Sequence, residues 1–222
     1  IERLTTLGTL AAEIAHEILN PLMVVRLLFD SLELSEDANP HQAKDLSIIR
    51  EKLNHLDQIA GRILDFGKSR EAFRVHCKLG EILRDAALLV RLKLDQSRVS
   101  LTMNEQGFES VVFVDKGQIQ QALLNLILNA LGAMPEGGHL TLETSAEDER
   151  WVRVLVKDTG NGIPEEFKDR IFDSFLTARV GGTGLGLTIS KRIMRAHDGD
   201  LELMESTKQG TVFRLSLPIA QD

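Results

Sequence analysis

Apolar or small residues recur at Leu4, Leu7, Ala11, Ile14, Ile18, Val25, Leu28 and Leu32, three and four apart except where Pro21 takes one position. That spacing is a heptad seam, and it runs for about four heptads. A second seam passes through Leu46, Ile49, Leu53, Leu56, Ala60 and Ile63. Between them, in SEDANPHQ, Asn39 can cap a helix, Pro40 suits its first position and Gln42 can bond back. The pattern predicts two long antiparallel helices over residues 1–72. Such a hairpin cannot bury both seams alone. A dimeric four-helix bundle is the simplest closure, and a monomeric hairpin packed on the next domain is the alternative.

Beyond a polar stretch read as a linker over 73–78, the period changes. A helix is expected over Gly80–Asp95, with short strands at Val99–Met103 and Val111–Val114. A helix from Gln118 to about Met134 ends in the turn PEGG, followed by the alternating strands HLTLETS and WVRVLVK. Ile163–Phe172 and Leu185–His197 read as helices, and LELMES and TVFRLSLP as closing strands. Residues 79–222 are therefore expected to form an α/β domain, a mixed sheet with helices on one face.

Composition narrows the partners. The formal charge of −7 argues against a nucleic-acid surface, which would carry basic patches. The one cysteine, Cys77, excludes an internal disulfide framework and suits a reducing, cytoplasmic setting. No apolar run reaches the ~20 residues of a membrane-spanning helix, and IERLTTLGTL lacks the basic start and apolar core of a signal peptide. The chain opens on Ile1. It is expected to be part of a longer protein, with any membrane span or sensor module lying upstream.

Three clusters carry candidate chemistry. On the first helix the seam assignment turns His16 away from its partner helix, which exposes the imidazole. Asn20, four residues on, shares its face, and Glu17 points roughly 100° away. Alone, an exposed helical histidine is an ordinary surface residue. In QQALLNLILNALGAM, Asn125 and Asn129 stand four apart on an otherwise apolar helix. Buried amides need partners, either structural ones or a polar ligand. Asp158 ends a strand before the glycine turn DTGNGIP, where a carboxylate can accept from an exocyclic amine and Gly160 and Gly162 admit a ligand ring. GGTGLGL then precedes a helix, an arrangement that turns backbone N–H groups toward phosphate. It has neither the Lys-Ser/Thr of a P-loop nor the strand–glycine–helix start of a dinucleotide fold.

In this order, the clusters resemble the histidine kinase family along essentially the whole chain. AHEILNPL resembles the phospho-acceptor box, NLILNA the asparagine box, DTGNGIP the first glycine box, and IFDSF the phenylalanine box. GTGLGL resembles the second glycine box, and QGTVFRLSLP the closing hairpin, which holds Thr211. The short segment between Phe175 and Gly182, with AMPEGG, is most similar to the nitrogen-regulation type. The resemblance implies the two-layer α/β sandwich of the GHKL ATPases, with ATP in its pocket. Asp158 would read adenine, Asn129 would coordinate Mg²⁺, and Asn125 would sit beside it. Gly182, Thr183, Gly184, Leu185 and Gly186 would form the lid over the phosphates, with Thr177 and Arg179 near the γ-phosphate. It further implies autophosphorylation of His16, with Glu17 activating the imidazole. Transfer would follow to an aspartate of a response-regulator receiver domain docked on a homodimeric hairpin. Asn20 matches the residue that orients water in phosphatase-competent relatives.

Three positions depart from the family pattern. Leu19 stands where relatives carry Lys or Arg, and Gly132 where many outside the nitrogen-regulation group carry Lys. Arg179 replaces the commoner Lys, which keeps the charge but not the geometry. None removes a core catalytic group. Two rivals follow from the same residues. A hydrolytic GHKL ATPase would carry a glutamate base where Asn125 stands, and a degenerate scaffold would have lost His16, Asn129 or Asp158.

Overall fold

The computed structural model describes residues 22, 23, 25, 49, 53 and 72–220, without 105, 147, 148, 175 and 177–183. The chain divides into two compact units, Ile1–Arg70 and Glu71–Asp222. In the first, all five described residues are helical. Leu22 and Leu53 bury together, one from each expected helix. Leu22, next in sequence to Pro21, is buried in the single chain. Val25 and Ile49 remain 48% and 45% exposed in the single chain.

The second unit is built as the alternation predicts. Its elements are β1 (Val75–Lys78), α1 (Leu79–Gln96), β2 (Val99–Asn104), β3 (Val111–Val114), α2 (Lys116–Ala133), β4 (Gly138–Ser145), β5 (Trp151–Asp158), α3 (Glu165–Lys168), α4 (Gly186–Ala196), β6 (Asp200–Thr207) and β7 (Gly210–Pro218). Five strands form one sheet in the order β2-β4-β5-β7-β6, and β1 pairs with β3 in a small separate sheet. Only β2–β4 is parallel within the large sheet. Alternate residues, Leu140 and Leu142 of β4, Val152, Val154 and Val156 of β5, and Phe213, Leu215 and Leu217 of β7, are buried. They face α1, α2 and α4, whose apolar stripes close the core (Ile82, Leu83, Leu123, Ile127, Ile189 and Met194 among them).

Two sequence expectations change. Part of the stretch read as a linker is strand: Val75–Lys78 pairs antiparallel with β3, Val75 opposite Val114. Only Cys77 of β1 is buried, so the strand shows too weak an alternation to be read from sequence. The helix expected over Ile163–Phe172 shrinks to four residues. Ile163 is drawn out by the Ser206 hydroxyl, which accepts its N–H at 2.8 Å. After Lys168 the chain continues in tight turns, Arg170 N–H to Phe167 O and Asp173 N–H to Arg170 O.

A side-chain cap fixes the start of α2. Asp115 accepts the Gln118 N–H at 3.1 Å. The buried His197 ring then ties this cap to the end of α4. Its Nδ1 faces the Ile193 carbonyl at 2.8 Å, and its Nε2 accepts the Asp115 N–H at 3.1 Å. Because one neighbour is an acceptor and the other a donor, the imidazole is neutral and carries its proton on Nδ1.

Candidate functional site

Asp158 is the last residue of β5, and its Oδ1 accepts the N–H of Gly160 (2.8 Å) and of Thr211 (3.3 Å). The carboxylate is thereby aimed by main chain from two directions. The loop beyond it is pressed onto its neighbours. A Cβ on Gly160 would come within 2.7 Å of Ala133, at the end of α2, and Asn161 N–H bonds the Ala133 carbonyl. Gly162, at φ +73°, lies against the Thr207 carbonyl so closely that no side chain fits. Thr211 is buried, and its hydroxyl meets Ser206, the residue that holds Ile163. Asp158, Gly160, Gly162 and Thr211 are thus brought together at the end of β5, one wall of the candidate site.

The second wall joins α2 to the start of α4. Asn125 and Asn129 lie half-buried at the margin of the α2 core face, one turn apart, rather than inside the core. The Asn125 Nδ2 donates to the Gly186 carbonyl and to the Ser190 hydroxyl, each at 3.2 Å. The structural reading of that amide, left open by the sequence, therefore holds for Nδ2. Gly184 takes φ +66°, and Leu185, fully buried, seats the first turn of α4, accepting the Ile189 N–H at 2.9 Å. Thr188 donates to the Phe172 carbonyl at 2.9 Å, which ties α4 to the phenylalanine-containing turn.

At its far end α4 is pinned electrostatically. Lys191 reaches Asp200 at 2.7 Å and the Leu201 carbonyl at 2.6 Å, with its ammonium 5.0 Å from the Phe172 ring centre. Burial works against the charge of Asp200. The Lys191 ammonium, the Leu201 N–H and the charge of Arg195 outweigh it and hold the carboxyl below the usual range.

His16, Glu17, Asn20, Thr177, Arg179, Gly182 and Thr183 lie outside the described residues. Sequence reasoning missed Ser190, Ser206 and His197, all buried polar residues that hold the two walls. One of them carried a signal: Ser190 interrupts the apolar stripe of α4 formed by Ile189, Ile193 and Met194.

This arrangement has known counterparts. Residues 6–72 match the His Kinase A (phospho-acceptor) domain, and residues 114–221 match the family described as histidine kinase-, DNA gyrase B- and HSP90-like ATPase. The chain belongs to the histidine kinase family. It is 31% identical over 218 residues to the signal transduction histidine-protein kinase AtoS of Escherichia coli (strain K12), covering 98% of this chain and 36% of that protein. The chain thus spans about a third of that relative's length. Among solved structures, full-length ShkA in complex with AMPPNP has a TM-score of 0.82 at 27% identity, over 96% of this chain and 46% of that one. Histidine kinase ThkA in complex with the response regulator TrrA has a TM-score of 0.70 at 30% identity, over 99% of this chain and 64% of that one. The fold is that of the family, a phospho-acceptor helical domain followed by a GHKL-type α/β ATPase domain.

Proposed function

We propose that the chain is the catalytic core of a sensor histidine kinase of a two-component system, which phosphorylates His16 from ATP and passes the phosphoryl group to a response-regulator aspartate. The observation that carries this reading is the Asp158 carboxylate, fixed at the end of β5 by two backbone N–H groups and flanked by glycines. A carboxylate so held accepts a hydrogen bond from the exocyclic amine of adenine without having to be ordered first. Side chains at Gly160 and Gly162 would run into Ala133 and the Thr207 carbonyl, so both glycines serve the packing that holds the turn beside this carboxylate.

In this reading the first turn of α4 offers backbone N–H groups to phosphate. The donor set suits Mg²⁺: an amide oxygen on Asn129 is a hard ligand, and Mg²⁺ keeps waters and phosphate oxygens in its remaining positions. Bound there, the ion would neutralise charge on the transferring phosphoryl group. Thr177, Arg179, Gly182 and Thr183 complete the phosphate side in this reading. At His16 an imidazole nitrogen attacks the γ-phosphorus as the bond to the ADP oxygen breaks, and Glu17 bonds the opposite ring N–H. A second imidazole-to-carboxylate transfer hands the group to the regulator. Asn20 orients water for the reverse duty, dephosphorylation of that regulator.

The reading also includes a homodimer. Val25 and Ile49 belong to the two heptad seams yet stay open in one chain, and a second hairpin would cover them. ThkA forms its complex with a response regulator, which supports the same class of partner here.

Incubation with γ-labelled ATP tests the reading. Wild type takes up acid-labile, alkali-stable label. His16→Ala takes up none but binds ATP within about twofold of wild type. Asp158→Asn loses ATP affinity by about 10- to 100-fold, the equivalent of ~1–3 kcal/mol for one polar anchor. Free phosphate without labelled protein would indicate a hydrolytic ATPase. Neither product would indicate a scaffold, and label persisting on His16→Ala would remove His16 as the acceptor.

A further inference from the structure

Ser190 is fully buried on α4, one turn past Gly186. Its hydroxyl lies 2.9 Å from the Gly186 carbonyl and 3.4 Å from the Ala122 carbonyl on α2. Both neighbours are acceptors, so the single hydroxyl proton is directed toward them, and only the oxygen's lone pairs remain for a third partner. That partner is Asn125, at 3.2 Å.

The same logic fixes the amide. Its other neighbour, the Gly186 carbonyl at 3.2 Å, is also an acceptor. Asn125 must therefore present its NH₂ to both, and both amide protons are used within the protein. The Oδ1 takes no part in either of these two hydrogen bonds. Rotating the amide by 180° would set oxygen against a carbonyl and against a hydroxyl whose proton is committed elsewhere.

We propose that Ser190 is a positioning residue for phosphate binding: it locks the Asn125 amide in one orientation and clamps the first turn of α4 against α2. This rests on the nucleotide reading of the site. Asn125 has the glycine-led start of α4 in its grip, and Ser190 decides which end of the amide faces that start. Without the hydroxyl, one amide proton loses its acceptor and the rotation is no longer opposed by that neighbour. The first turn of α4 is then held by one hydrogen bond fewer. Asp158, on β5, shares none of these contacts, so the aspartate wall should not notice.

The test is a double-mutant cycle read with several nucleotides on the intact chain. Binding of Mg·ATP, Mg·ADP and adenosine is measured for wild type, Ser190→Ala, Asn125→Ala and the double variant, together with thermal midpoints. Ser190→Ala is expected to weaken Mg·ATP about 5- to 10-fold and leave adenosine within twofold. Adding it to Asn125→Ala should change nothing further, because contacting residues that act as one unit are not additive. Should Ser190→Ala not fold, Ser190→Cys, of similar volume but with a weak sulfur donor, is read in the same way. Equal losses for adenosine and ATP would make Ser190 merely structural, and unchanged ATP affinity or additive losses would equally overturn the proposal. A wild type that binds neither adenosine nor Mg·ATP would instead remove the nucleotide reading itself.

Discussion

The two walls of the site are held in different ways. Around Asp158 close backbone contacts dominate (Gly162 on the Thr207 carbonyl, Gly210 on the Asp158 carbonyl, Gly160 on Ala133), with the Asp158 carboxylate and the Ser206 hydroxyl accepting backbone N–H groups beside them. Around the start of α4 they are set by single side-chain hydrogen bonds from Asn125, Ser190 and Thr188, with Lys191 and His197 behind them. A wall packed mainly through close backbone contacts leaves little room for added atoms and resists change as a block. A wall made of separate hydrogen bonds can be loosened one bond at a time.

The largest test of this contrast is a methyl group on the aspartate wall. Gly210 sits at φ +144°, and a Cβ there would collide with the Asp158 carbonyl. Gly210→Ala is expected to cost about 2–4 kcal/mol, overpacking and backbone strain together. Gly162→Ala, at φ +73° against the Thr207 carbonyl, should cost about as much. Denaturant unfolding of the 71–222 unit within the full chain measures both. A loss below about 1 kcal/mol would mean that this wall yields more easily than its contacts suggest.

On the α4 side, His197→Ala should cost less, about 2 kcal/mol. The substitution leaves the part-buried Asp115 N–H without its acceptor and opens a small cavity at the buried His197 position. His197→Asn shortens the side chain but keeps an amide, and it should recover part of the loss if the hydrogen bond matters more than the volume. Equal losses in both variants would assign the effect to packing. The variants should also loosen the α2 cap, seen as faster amide exchange at Gln118, while the N–H groups of Gly160 and Thr211 keep their protection.

Much of the aspartate wall was legible in the sequence, because alternation placed β5 and its glycine turn, and motif order named Asp158. Strands β4, β5 and β7 follow their apolar alternation almost residue for residue. The asparagine helix was legible too, but not the use of Asn125, since a hydrogen bond to a residue 61 positions away leaves no local trace. β1 escaped because it buries one side chain in four. The Ile163–Phe172 helix was overestimated because helical propensity there loses to a tertiary bond from Ser206. Residues that hold a site by reaching across the fold are hidden from sequence pattern in a way that periodic elements are not.

The smallest effect should come from the outer pin of α4. Asp200 is held below the usual carboxylate range despite the opposing cost of burial, because Lys191, the Leu201 N–H and Arg195 favour its charged form. A carboxyl depressed in the folded state adds stability above its unfolded value, near 3.9 for aspartate, and loses it as pH falls through the lower folded value. The side chain is 42% exposed, so solvent screens the pair and the gain is small. Asp200→Asn keeps the shape and an acceptor oxygen but removes the charge. At pH 7 it should cost about 0.5 kcal/mol. Wild type and variant should then converge as the wild-type carboxyl protonates, below about pH 4. Urea unfolding at pH 7 and at pH 3 measures the gap directly. A gap that stays constant between the two would show that Asp200 holds α4 by hydrogen-bond geometry alone, which would place its pin in the same class as the neutral ties of Asn125 and Ser190.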